Sequence, residues 1–401
     1  MEFAIDWRQR QNKGKEWTSR MPELCRQRLL GYAESFRELS KGFDGEFIGD
    51  GLDRMEILEE RRLWESRQVM SSSLNAVAQI MTQVAEEVVR YEPFPEKRRK
   101  AIAGALRAEG IYIDHLCYLP GEHGRKAVGM TMYTDKKGGQ PAEEVADMLS
   151  VLLHRQVQLS VTSPYLIDRI SRSFVFVEEA SYIALTGFAR AVKEDETLSG
   201  DHYSLIESEK GRMTVLLSDG TGSGERASAD SERVLDLMEK MLEAGYSLET
   251  AVGMVNTAFF AKGEENGHPT LDICDLDLYQ GCCDFCKAGG VTSFVKRGAQ
   301  VEQVTVENLP LGIFQTVEAR KIHKELHSGD YVIMMTDGVL DVLGENGYEE
   351  AMAEAIGSLR EQNPGEIAER LLEQALCAGG GRIQDDMTIL VIGLWENSNL
   401  S

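Results

Sequence analysis

The stretch LLSDGTGSGERA, Leu216 to Ala227, carries an aspartate at the end of an apolar run and then the glycines Gly220, Gly222 and Gly224. A strand running into Asp-Gly delivers a carboxylate to the rim of a sheet. The glycine's missing side chain lets the backbone turn and a ligand come close. A strand, a glycine-rich turn and a helix also open a dinucleotide-binding unit, but here that reading fails twice. The spacing is G-x-G-x-G rather than G-x-G-x-x-G, and the helix pattern is followed by a second helix instead of a strand ending in an acidic residue. Asp219 is then the residue to explain.

Asp337 in MMTDGVLD repeats the same form, and Asp201 in LSGDHYS and the Asp385-Asp386 pair in QDDMTIL lie at further strand boundaries. One Asp-Gly alone is ordinary turn chemistry. Several carboxylates at strand boundaries of one domain point instead to a shared site. Brought together they repel, and leaving them ionised in a partly buried cleft is costly. Divalent cations remove that difficulty, and all-oxygen donors select hard ones such as Mg²⁺ or Mn²⁺. Two such ions about 3.5 to 4 Å apart can share a water and hold it in line with a phosphorus atom. The scale of the task agrees: phosphate-monoester hydrolysis needs up to ~10²¹-fold acceleration, whereas a positioned proton donor supplies about 10² to 10⁴-fold.

The surrounding pattern predicts strands at SFVFVEE, YIALTGFARAV, HYSLIES and RMTVLLSD, two helices over 225–245 and 247–263, and strands again at LDICDLDLY, CCDFCKAG, TSFVKRG and YVIMMTDG. Helices at EEAMAEAIGSL and GEIAERLLEQALCAG and a last strand MTILVIGLW complete it. Two sets of antiparallel strands with helices outside give an α+β fold, a four-layer α-β-β-α sandwich over 164–401.

Ahead of it, residues 96–163 read as a small α/β domain in the order helix, strand, strand, helix, strand, with His115, His123 and His154 isolated from one another. Residues 1–95 carry long amphipathic helices from about Trp17 to Tyr91, broken by turn residues at FDGEFIGDGLD, Phe43 to Asp53. Their apolar stripes suit a core or a dimerising linker.

Composition sets the class. Of 401 residues, 42% are hydrophobic and 27% charged, as in a buried globular chain. The net charge of -23 would repel phosphate backbones, so no nucleic-acid partner is expected. EKRRK, Glu96 to Lys100, reads as a solvated helix start rather than a membrane patch. No apolar run has membrane-span length and the N-terminus lacks a signal-peptide core, so the expected location is cytoplasmic. Seven cysteines include a single Cys-x-x-Cys at Cys283 and Cys286, with no second pair for zinc; reduced thiols are expected.

SGD, SDGTGSGERA, NLPLGI, MMTDG and DDMTILV, in this order over about Ser171 to Leu394, resemble the metal-dependent PPM (protein phosphatase 2C-like) serine/threonine phosphatases, and among them the stage II sporulation protein E family. The helices and small α/β unit are also similar to that family's regulatory region. The resemblance implies catalysis through Asp219, Asp337 and Asp385. It also implies metal ligands at Asp201, Asp219, the Gly220 carbonyl, Asp337 and Asp385, with Asp386 standing where many relatives have Asn. It implies two or more Mn²⁺ or Mg²⁺ ions and a partner, a phosphorylated anti-anti-sigma factor, whose dephosphorylation frees a sporulation sigma factor. It further implies a homodimer and, through a membrane region ahead of the regulatory domain that this chain lacks, contact with the membrane. Thr221 stands where animal enzymes carry a proton-donating His, so no general acid is assigned, and a phosphatase-like scaffold that binds without turnover is the alternative. Thr221 to Gly224 would form a flexible link between a metal ligand and the following helix.

Overall fold

The computed structural model describes residues 25–43, 54–87, 92–120, 125–208, 211–260, 267–306, 308–314, 319–344 and 347–398. The chain divides into two units, Met1–Glu179 and Ala180–Ser401.

In the second unit, strand Arg212–Asp219 buries residues on both of its faces, which is why it reads as a near-continuous apolar run. Met213, Val215 and Leu217 point one way and Leu216 the other. Two antiparallel five-stranded sheets form: 321–325, 282–288, 271–277, 212–219, 201–208 in one and 300–304, 293–297, 330–335, 387–396, 182–191 in the other. Between them lies a core of Met213, Leu217, Phe285, Val332, Met334 and Leu390. Helices Gly224–Glu243 and Leu248–Phe260 cover the outer face of the first sheet through Val234, Met238, Val252 and Phe259. Helices Tyr348–Ser358 and Pro364–Ala378, with the short Asp337–Asp341, cover the other through Ile356, Ile367 and Leu371. Helix, sheet, sheet, helix is the expected four-layer sandwich.

In this unit two strands escaped the sequence reading, Gln300–Val304 and Lys321–Glu325. Each ends its sheet, and each alternates exposed with half-buried residues, apart from the buried Val304, the polar composition that keeps an edge from pairing with other chains.

In the first unit, helices Glu96–Ala108 and Glu143–Leu153 pack on a sheet ordered 92–93, 111–120, 126–134, 172–178, 157–159. The helix, strand, strand, helix, strand order stands, but one strand changes sides. SFVFVEE was expected at the start of the sandwich. Instead Arg172–Glu178 pairs with Lys126–Thr134 and with Val157–Leu159. Its alternation inserts Phe174 and Phe176 beside Ile102, Leu106, Met132 and Leu149. A division at 163/164 would cut this sheet.

The helix over 25–41 and helix Arg54–Glu87 run antiparallel side by side: Arg37 Nη2 donates to Thr82 Oγ1 at 2.8 Å and Ser40 Oγ to Asn75 Oδ1 at 3.1 Å. Ala33, Ala78 and Ala85 are fully buried. The predicted turn at 44–53 and His123 lie outside the described residues. Among the described residues no helix is long and apolar enough to cross a membrane.

Candidate metal-binding active site

The antiparallel pairing of Asp201–Ser208 with Arg212–Asp219 sets Asp201, the first residue of one strand, directly opposite Asp219, the last of the other. The second sheet contributes its own ends. Strand Asp330–Met335 ends just before Thr336, the residue preceding the short helix that Asp337 begins, and Asp385 and Asp386 immediately precede strand Met387–Glu396. Thr336 ties the two sheets together. Its Oγ1 donates to Asp201 Oδ2 at 2.8 Å and accepts the Thr388 N–H at 2.9 Å.

The electrostatics follow from burial and crowding. Burial, then the charges of Asp201 and Asp337, push the Asp219 carboxyl up to about 9, so it is protonated at neutral pH and shares a hydrogen bond with Asp337. Burial raises Asp201 to about 6, against hydrogen bonds that favour its charge. Asp337 is raised as well, by burial and then Asp385. Asp201 Oδ1 is buried without a hydrogen-bond partner.

Gly220 is required by close approach. Its N–H donates to Gly200 O at 3.2 Å, and a Cβ there would lie 2.0 Å from Ala227 O in the first turn of helix Gly224–Glu243. The Asp-Gly turn thus presses its backbone against the helix it precedes, a contact with no sequence signal beyond the glycine itself.

The Asp385-Asp386 pair divides sharply. Asp386 is 3% exposed, and its oxygens accept the Lys193 N–H at 3.0 Å and the Gly200 N–H at 2.7 Å. Both oxygens accept backbone N–H groups, a role the sequence expectation of Asp386 as a metal ligand did not include. Asp385 accepts only the Asp386 N–H at 2.9 Å and lies 3.9 Å from Lys193 Nζ, with its carboxylate about half exposed.

Two supports were invisible in the sequence. Thr270 Oγ1 accepts the Asp219 N–H at 3.1 Å, and its own N–H donates to Asp219 O at 2.8 Å. His268 N–H donates to Thr221 Oγ1 at 2.8 Å, and its ring Nδ1 is 3.2 Å from Leu311 O. The NLPLGI turn reaches the site this way, and also through Leu311 N–H to Pro269 O at 3.0 Å. GHPT has no metal-ligand spacing, so nothing in the sequence flagged it.

The donor set suits hard divalent cations: oxygen-only, crowded, with raised carboxyl pKa values and one buried oxygen lacking a partner. Among the described residues no three acidic, His or Cys side chains are already gathered into one ligand sphere. Charge, rather than a finished coordination geometry, marks the site.

Family models match in two adjacent blocks: the regulatory domain of SpoIIE over residues 52–176 and stage II sporulation protein E over residues 209–395. The solved PP2C phosphatase domain with a regulatory fragment of SpoIIE from Bacillus subtilis aligns with 86% of this chain and 99% of its own, at 30% identity and a TM-score of 0.60. The chain belongs to the stage II sporulation protein E family. Two curated stage II sporulation E proteins, from Bacillus subtilis and Priestia megaterium, are each 30% identical over 84% of this chain. The chain spans 41% and 58% of their lengths. The SpoIIE phosphatase block holds Asp219, Gly220, Asp337, Asp385 and Asp386, and Asp201 lies just ahead of it.

Proposed function

We propose that the chain is a metal-dependent protein phosphatase that hydrolyses a phosphoserine, with a phosphorylated anti-anti-sigma factor as substrate and release of a sporulation sigma factor as the outcome. The observation that carries this reading is the meeting of Asp201, Asp219, Asp337 and Asp385 at the abutting ends of two sheets, with the Asp219 carboxyl raised to about 9. Asp201, Asp219, the Gly220 carbonyl, Asp337 and Asp385 would hold a pair of Mn²⁺ or Mg²⁺ ions. Such ions supply a nucleophilic water near neutral pH and offset the charge of a phosphoryl group.

The chain's own residues do the rest. Thr336 and Thr270 hold Asp201 and Asp219 in place by hydrogen bonds on side chain and backbone. Asp386 clamps the Lys193 and Gly200 backbone against the site and is a positioning residue. Lys193, whose Nζ lies 3.9 Å from Asp385, would add a positive charge beside an incoming phosphate. The acidic surface fits a cytoplasmic protein partner better than a nucleic acid, and the helices over 25–41 and 54–87 suit a homodimerising linker.

The test is phosphate release from a phosphoserine anti-anti-sigma protein with Mn²⁺, with chelator, and with Asp219→Asn. Metal-dependent release lost in the variant is the expected result. Tight substrate binding by the intact chain without release under any metal condition would establish a scaffold instead.

A further inference from the structure

Beneath the carboxylates, the core between the sheets ends in a fully buried ion pair. Asp272 is 2% exposed and Lys287 1%, and they are direct cross-strand partners, with Leu217 on the other side of Asp272. Lys287 Nζ donates to Asp272 Oδ2 at 2.6 Å, to Val291 O at 2.6 Å and to Ser293 Oγ at 2.9 Å, so all its donors are used. Asp272 Oδ1 is buried without a partner. Asp272 borders a small cavity whose other walls include Asp219, Thr270, Thr336, Asp337 and Gly290.

A buried pair of this kind is a poor source of stability, because the cost of desolvating two charges rivals their attraction. Its position suggests another role. Lys287 draws the 289–291 turn over Asp272 so tightly that a Cβ on Gly290 would lie 1.6 Å from Asp272 Oδ1. The backbone carbonyl of Lys287 accepts from Asn308 Nδ2 at 2.9 Å, and Pro310 packs on Gly289, which brings the NLPLGI turn to the same point. Asp272 lies two residues beyond Thr270, whose hydroxyl and N–H hold Asp219.

We infer that Lys287 and Asp272 are positioning residues for the metal-binding carboxylates, setting the cavity wall against which Asp219 and Asp337 are oriented. The inference rests on the metal-centre reading above. Partners of this outer kind typically change metal affinity about 10 to 100-fold when removed. A purely structural pair would affect folding alone.

The experiment separates the two by comparing Lys287→Met with the double variant Lys287→Met/Asp272→Val, measuring Mn²⁺ binding by calorimetry, thermal unfolding, and kcat and KM for a phosphoserine protein. The single variant strands a buried carboxylate and lowers Tm. The double variant removes both charges and is expected to regain most of that Tm while binding Mn²⁺ at least tenfold more weakly, with kcat reduced and KM little changed. Mn²⁺ affinity at the parent level in the double variant would overturn the inference. Should that variant not fold, Ser293→Ala removes one Lys287 contact alone and is expected to weaken Mn²⁺ roughly threefold; unchanged affinity there has the same force. Absence of Mn²⁺ binding by the parent chain would instead sink the metal-centre reading.

Discussion

Asp386 and Asp385 are adjacent in the chain and opposite in circumstance: Asp386 holds two backbone N–H groups with its carboxylate, while Asp385 holds only its neighbour's N–H and lies half exposed beside Lys193. Asp386→Ala should therefore lower stability by about 3 kcal/mol, the cost of two buried donors left without a charged acceptor. Asp385→Ala should leave Tm nearly unchanged and reduce turnover about 10²-fold or more. Paired thermal melts and phosphate-release assays distinguish these outcomes, and a reversed pattern would exchange the two roles.

The crowded Asp219 makes the metal-free protein sensitive to pH. Its folded-state pKa, about 9, lies above the unfolded carboxylate value of about 3.9, so the folded state binds the extra proton. Stability from this group is greatest at acid pH and falls as pH rises from about 4 through 9. In chelator, Tm should decline between pH 5.5 and 8.5 more steeply for the parent than for Asp219→Asn. The same proton competes with metal, so Mn²⁺ affinity should rise over that interval. A flat parent profile in chelator would contradict the raised pKa.

The same substitution should separate stability from activity. Asn is neutral without taking up a proton, so Asp219→Asn removes the cost of protonating this carboxyl on folding at neutral pH and should raise metal-free stability by about 1 to 2 kcal/mol while turnover is lost. Differential scanning calorimetry at pH 7.5 in chelator measures this, and a lower Tm in the variant would count against crowding as the dominant effect.

Gly220 and Gly222 differ in what they tolerate. A methyl at Gly220 would meet the Ala227 backbone at 2.0 Å, so Gly220→Ala should cost about 3 kcal/mol or more and displace the first turn of the following helix. Gly222 has open space but φ +92, so Gly222→Ala should cost about 1 kcal/mol through backbone strain. Denaturant unfolding of both variants checks the ranking, and near-equal losses would contradict it.

The thiols should behave as bystanders. Cys25 and Cys377 are exposed, Cys274 and Cys283 are buried, and burial pushes the Cys282 and Cys286 thiols up to about 11. At pH 8 iodoacetamide should modify Cys25 and Cys377 first, with turnover unaffected. Rapid labelling of Cys286 by mass spectrometry would show that its strand opens.

The sequence by itself determined the layers and the acidic theme. Runs such as MTILVIGLW and RMTVLLSD announce strands buried on both faces, and Asp-Gly at a strand end announces a carboxylate at a rim, because both are local consequences of side-chain period and backbone freedom. Tertiary structure alone decided what long-range pairing controls. Phe174 and Phe176 could have filled either core, and only the hydrogen bonds of Arg172–Glu178 to strands 126–134 and 157–159 put them in the first. The polar edges QVEQV and KIHKE became strands through their neighbours' backbones rather than through their own composition. Asp385 and Asp386 look alike in sequence and are separated by N–H groups from residues 193 and 200. His268, Thr270 and the Asp272–Lys287 pair reach the site through strand register and through turns that meet only in the folded chain.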